Sequence, residues 1–216
     1  MRRTYLIFVL FLSAIFSQAQ SPIKVACIGN SITYGDGLSR SEAYPAQLEK
    51  MLGDKFVVRN FGVSGRTLLR QGDFPYIKEQ AYQDALNWKA DVVVIKLGTN
   101  DSKPQNWKFE KDFEADYRDM IRAFKRANAD VKIFACLPVP VANDAWGISG
   151  KIVQEEIIPI IREVASKEKV EVVNLFRALD KHRNKFPDGV HPNAEASKII
   201  AETVYKSITK KPEAPK

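Results

Sequence analysis

Residues 91–97 read Asp-Val-Val-Val-Ile-Lys-Leu, an almost continuous apolar run of the kind a strand covered on both faces requires. Four shorter β-rich runs accompany it: Ile23–Ile28, Lys55–Phe61, Val131–Leu137 and Val170–Leu175. Amphipathic stretches lie between them and predict helices over Ser41–Leu52, Pro75–Trp88, Phe109–Ala127, Ser149–Lys167 and Ala194–Ile208. In the first, Tyr44, Leu48, Met51 and Leu52 share one face. The second opens with proline in its first turn. Five β-then-α units predict an α/β fold with a parallel sheet and helices on both faces. Right-handed crossovers leave few windings, and the common five-stranded doubly wound order is 2-1-3-4-5. No repeat, low-complexity segment or linker divides the chain, so residues 20–216 are expected to form one domain.

Residues 1–19 have the layout of a secretory signal. Arg2 and Arg3 supply the positive end, Tyr5–Phe16 the apolar stretch, and Ser17-Gln18-Ala19 the small residues of a cleavage site. The apolar stretch falls short of the roughly 20 residues that span a bilayer, so no stable membrane insertion is expected after cleavage. The formal charge is +7, and Arg2 and Arg3 contribute two of those charges. Basic residues are scattered among acids until the tail, at Lys206, Lys210, Lys211 and Lys216. That distribution argues against a nucleic-acid partner. Cys27 and Cys136 stand in strands that the proposed order separates by about 9–10 Å. A disulfide needs Cα atoms within about 7 Å, and two free thiols are expected.

The residues just past each strand carry the chemistry. The first strand leads to Gly29-Asn30-Ser31, the second to Gly62-Val63-Ser64-Gly65, and the third to Gly98-Thr99-Asn100-Asp101. The fifth leads through a loop to Asp188-Gly189-Val190-His191. In open α/β sheets this rim is where ligands bind. A serine hydroxyl is a weak nucleophile until a base takes its proton. An imidazole titrates near neutrality and suits that role, and a carboxylate fixes its tautomer. The backbone N–H groups of Ser31 and Gly65 and the amide of Asn100 are available as oxyanion donors. Singly, each residue has a plainer role: a helix cap for Ser31, a turn former for Asn100, a positive φ for Gly62. Their joint occurrence, in order, at successive strand ends is what selects Ser31, Asp188 and His191 as a catalytic set.

The chain resembles the SGNH hydrolases of the GDSL lipase/acylhydrolase family. Gly29–Thr33 is similar to the family's serine block, Asn60–Gly65 to the block ending in an oxyanion glycine, Gly98–Asp101 to the block with the oxyanion asparagine, and Asp188–His191 to the Asp-x-x-His block. The resemblance implies a three-layer α/β/α sandwich of flavodoxin-like order. It also implies Ser31 as nucleophile, Gly65 and Asn100 beside Ser31 in the oxyanion hole, and Asp188 and His191 completing the triad. Asn30 departs from the family's usual Asp and should alter local hydrogen bonding rather than the triad. The resemblance implies no metal and no cofactor, in keeping with two histidines (His182 and His191) and no HExxH or CxxC spacing.

Within such a family the ester is not set by the fold. A short chain without an apolar lid, export to where bacterial enzymes meet glycans, and Trp107 and Trp146 in rim loops favour removal of O-acetyl groups from carbohydrates, sialic acid or plant polysaccharide. Each indole could cover a sugar face or pack in the core. The stretch from Arg59 through Trp107 resembles exported bacterial carbohydrate acetylesterases. The alternatives are a lysophospholipase or thioesterase of the same family, and a non-catalytic glycan-binding module on a decayed hydrolase scaffold.

Overall fold

The computed structural model describes residues 21–210; the expected signal segment and the last lysines of the tail lie outside them. The chain forms a five-stranded parallel sheet in the order β2-β1-β3-β4-β5, as the strand count predicts. The strands are β1 Ile23–Gly29, β2 Phe56–Gly62, β3 Val92–Lys96, β4 Lys132–Leu137 and β5 Glu171–Asn174. Helices α1 Ser31–Tyr34, α2 Tyr44–Leu52, α3 Gln80–Trp88, α4 Pro104–Trp107 and α5 Phe113–Ala127 occupy the first part of the chain. Then α6 Gly150–Ile152 runs through a π segment, Val153–Ile157, into α7 Ile158–Glu168, and α8 Leu175–Leu179 and α9 Ala194–Thr209 follow.

Alternate strand residues face opposite layers. Ala26, Ile28, Val93, Ile95, Ile133 and Ala135 meet Ala85 of α3, Tyr117 and Phe124 of α5, and Ile161 of α7. Val25, Cys27, Val94, Phe134, Cys136 and Val173 meet Tyr44 and Leu48 of α2, Leu175 of α8, and Ile200 and Val204 of α9. The central strand β3 is buried at every position, including Lys96. Cys27 and Cys136 are both buried and unpaired, with β3 between their strands. No helix among the described residues is long and apolar enough to cross a membrane.

Helix starts depart from the sequence expectation, each for a local reason. Helix α2 begins at Tyr44 rather than Ser41, because Pro45 tolerates only the first turn and Ser39 ties its N–H and hydroxyl to Glu42. The stretch expected as one helix from Pro75 is a 3₁₀ turn over Tyr76–Lys78, an extended Glu79, and then α3. There Glu79 binds Arg66, at 2.9 Å from Nε and 2.8 Å from Nη2, and Tyr76 N–H donates to Thr67 O, so the loop claims residues the periodicity gave to a helix. Likewise α5 starts at Phe113 after a 3₁₀ turn over Glu110–Asp112. The π segment before α7 precedes Pro159, which offers no N–H to the preceding turn.

Candidate active site

Strand β1 delivers its C-terminal end to a single helical turn. A methyl group on Gly29 would overlap Thr33 Oγ1 and the Lys96 carbonyl, so the strand-to-turn junction closes only around glycine. Asn30 caps the turn: its Oδ1 accepts from Ile32 N–H at 3.2 Å. Gly35, at φ +100°, ends it, and its N–H donates to Ser31 O at 2.8 Å. Ser31 thus stands at the first helical position, where N–H groups have no intrahelical acceptor.

Strand β5 runs not into a loop but into α8 and a 3₁₀ segment over Asp180–Lys185, and the turn after these brings the other groups across. Asp188 Oδ1 accepts the backbone N–H groups of Val190 (2.9 Å) and His191 (2.7 Å). Asp188 Oδ2 lies 2.8 Å from His191 Nδ1, and His191 Nε2 lies 2.9 Å from Ser31 Oγ. A carboxylate can only accept here, so Nδ1 carries the ring proton and Nε2 is free to accept from the serine hydroxyl. Partial burial pushes the Asp188 carboxyl up, but the two backbone N–H groups and the imidazole outweigh it and hold it below the usual range. Gly189, at φ +86°, turns the loop, and its carbonyl accepts from Ala142 N–H at 2.7 Å. That bond pins the Asp-His loop to the segment after β4.

The expected oxyanion donors reach the same place. A cavity of about 170 Å³ is lined by Ser31, Gly65, Asn100 and His191, and by Asp36, Lys103, Trp146 and Ile148. Gly65 takes φ +79°, a conformation that turns the backbone sharply after β2. Asn100 Nδ2 donates to Arg66 O at 3.1 Å, which leaves its second N–H. Asp101 accepts from Leu68 N–H (3.1 Å) and Leu69 N–H (2.8 Å). Its complete burial, against those bonds, pushes its carboxyl up to about 6. Two larger surface cavities, of about 480 and 540 Å³, flank α2 and contain none of Ser31, Gly65, Asn100 or His191.

Two sequence expectations are corrected. Trp107 is not a rim platform: it is 6% exposed, its Nε1 donates to Glu156 Oε2 at 2.7 Å, and its ring packs edge-on against Phe113. Gly62 does not take a positive φ; a side chain there would overlap the Thr33–Tyr34 backbone. Asp36, Lys103 and Ile148, which carry no motif in the sequence, also line the cavity, and Asp36 accepts from Ser64 Oγ at 2.6 Å. Trp146, by contrast, is 59% exposed, and its ring centroid lies 5.3 Å from that of His191.

Lys96 carries no signal in the sequence beyond its place in a strand that is buried throughout. It is 0% exposed, and its Nζ donates to Asn30 Oδ1 and Thr99 Oγ1, each at 3.3 Å. Burial, opposed by the Cys136 thiol, pushes its ammonium down from 10.5 to about 7. Between those values the unfolded chain holds a proton that the folded chain lacks, so this group makes stability rise with pH across the window. Lys96→Met should remove that contribution. The melting temperature of the wild type should gain on the variant from about pH 7 to pH 10; a constant difference would mean that Lys96 stays charged in the fold.

The GDSL-like Lipase/Acylhydrolase family model matches residues 27–199. An acetylxylan esterase of Xylanibacter ruminicola is 43% identical over 92% of this chain, which spans only 45% of that protein's length. The thioesterase 1/protease 1/lysophospholipase L1 of Escherichia coli K12 is 26% identical over 92% of this chain and 89% of its own. A carbohydrate acetylesterase of Sinorhizobium meliloti superposes with a TM-score of 0.70 at 19% identity, covering 86% of this chain and 98% of that one. At that identity the likeness speaks for the fold alone.

Proposed function

This chain belongs to the GDSL-like Lipase/Acylhydrolase family, and from that premise we propose that it is an exported serine esterase removing small O-acyl groups from carbohydrates, acetylated plant polysaccharide first among them. The observation that carries the proposal is the 2.9 Å contact between Ser31 Oγ and His191 Nε2 in a cavity shared with Gly65 and Asn100. Ser31 Oγ adds to the ester carbonyl as its proton passes to His191 Nε2. Asp188 steadies the imidazolium. The oxyanion meets the N–H groups of Ser31 and Gly65 and the Asn100 amide, donors worth about 3–4 kcal/mol each in such sites. Collapse breaks the bond to the leaving alcohol, which takes the proton back from His191. Water then releases the acid from the acyl-serine by the same steps in reverse.

Two features favour a short acyl group on a sugar. The cavity of about 170 Å³ is smaller than the roughly 300 Å³ at which pockets for drug-sized ligands begin. The exposed Trp146 ring beside His191 offers a flat face to a sugar. The relative named acetylxylan esterase supports the same substrate class. Export rests on the leader read from Arg2, Arg3 and Tyr5–Phe16, with residues 20–216 as a single domain. The test is acyl-chain preference: p-nitrophenyl acetate is expected to exceed the octanoate in kcat/KM by about a hundredfold or more, about 1.4 kcal/mol per tenfold. Preference for the octanoate would favour a lysophospholipase or thioesterase. Absence of turnover on any activated ester, with Ser31 inert to a fluorophosphonate, would favour a glycan-binding module.

A further inference from the structure

We propose that Lys96 is a positioning residue that sets the spacing between Ser31 and Asn100; this rests on Ser31 as nucleophile and Asn100 as oxyanion donor. The paired strands β1 and β3 keep register as far as Gly29 and Lys96. Beyond that pair the two strand ends part into two short helical turns, one beginning at Ser31 and the other at Asn100. At such a strand-end crevice the sheet's own hydrogen bonds have run out. Lys96 sits at the last paired position and reaches past it. One N–H goes to Asn30 Oδ1 and another to Thr99 Oγ1, both at 3.3 Å. Asn30 immediately precedes Ser31, and Thr99 immediately precedes Asn100. A single buried nitrogen therefore ties the residue before the nucleophile to the residue before the oxyanion donor.

The tie also fixes the rotation of the serine turn. Asn30 Oδ1 accepts from both Lys96 and Ile32 N–H, while Asn30 Nδ2 has no partner among the described residues. The orientation of the carboxamide is thus decided by its oxygen, and Lys96 supplies one of the two donors that hold it. On the other side, the Thr99 carbonyl accepts from Ser102 Oγ at 2.8 Å, so the Asn100 turn is anchored at the same residue. Nothing in the packing calls for a lysine. Its neighbours on that face of the sheet are Val94, Cys27 and Cys136, and an apolar side chain would avoid burying an amine. The neutral amine and the ammonium both carry the two N–H groups the bridge uses.

The experiment is a kinetic cycle on the full chain with p-nitrophenyl acetate, combining Lys96→Met and Asn100→Ala. For Lys96→Met, kcat should fall about tenfold with KM within about twofold, since misplacing a positioned group costs the chemical step. Asn100→Ala should lose roughly a hundred- to a thousandfold. In the double variant Lys96→Met should cost clearly less than its tenfold effect in the wild type, because the Asn100 end of the spacing it sets is gone. A merely structural lysine would give losses that multiply. That result, or a folded Lys96→Met with wild-type kcat, would overturn the proposal. If Lys96→Met fails to fold, Thr99→Val removes one arm of the tie with little change of shape and should lower kcat roughly threefold at constant KM; unchanged kcat would then overturn it. A wild type that cleaves no ester would instead overturn the functional proposal beneath it, before any variant is made.

Discussion

Replacing Ser31 with alanine is expected to lower kcat on p-nitrophenyl acetate by about four to six orders of magnitude and to leave the melting temperature unchanged. The size of the loss follows from what remains. The N–H groups of residue 31 and Gly65 and the Asn100 amide would still polarise a bound carbonyl, but no atom would be left to attack it. The small effect on folding follows from the local structure. Asn30, not Ser31, caps the turn, and the side-chain bond of Ser31 is to His191 Nε2. Alanine is also the best helix former at a first-turn position. Steady-state kinetics, thermal unfolding and fluorophosphonate labelling check the three parts together. A folded variant within tenfold of wild-type turnover would remove Ser31 from the chemistry.

The order of the sheet could be read from the sequence because parallel strands buried on both faces leave a strong mark. Val92–Ile95, Ile133–Leu137 and Val25–Ile28 are apolar at almost every position, and right-handed crossovers then allow few windings. Helix starts were harder, since they are decided by single side-chain contacts made across the fold. Glu79 is an ordinary helix residue by propensity, yet its carboxylate is engaged by Arg66. Pro159 fits a helix interior poorly, and the chain answers with a π segment that periodicity does not reveal.

The same division runs through the site. Ser31, Gly65, Asn100 and the Asp188/His191 pair were legible because chemistry and position coincide: each follows a strand, on one rim. The two tryptophans were not separable, because both stand in rim loops. What distinguishes them is Glu156, distant in sequence from Trp107, which draws that indole inward, and the left-handed backbone of Trp146 and Gly147, which turns the other ring out beside His191. Gly62 and Gly65 look equivalent in sequence. Only the approach of the Thr33–Tyr34 backbone shows that one is needed for space and the other for a turn. Lys96 left no mark, since a strand of four apolar residues and one lysine is commonplace, and the partners that give it meaning lie 66 residues before it and three after.

Replacing Asp188 with asparagine tests the carboxylate apart from the loop it organises, and kcat is expected to fall about ten-thousandfold while the fold survives. Asp188 has two duties on two oxygens. Oδ1 accepts the N–H groups of Val190 and His191 and so shapes the turn, while Oδ2 accepts from His191 Nδ1. Asparagine keeps the first duty with its single oxygen. It then turns an N–H toward Nδ1, which can meet it only by giving up its own proton. The ring proton moves to Nε2 and points at Ser31 Oγ, so the base is lost without any displacement of the imidazole. If the amide rotates instead, its oxygen serves Nδ1 but the two backbone N–H groups lose their acceptor. The melting temperature would then fall while more of the activity remained. Measuring kcat and thermal stability on the same preparation separates the two. Loss of activity at constant stability identifies Asp188 as the group that sets the tautomer of His191, and a loss of stability with activity within tenfold would make it a loop anchor alone.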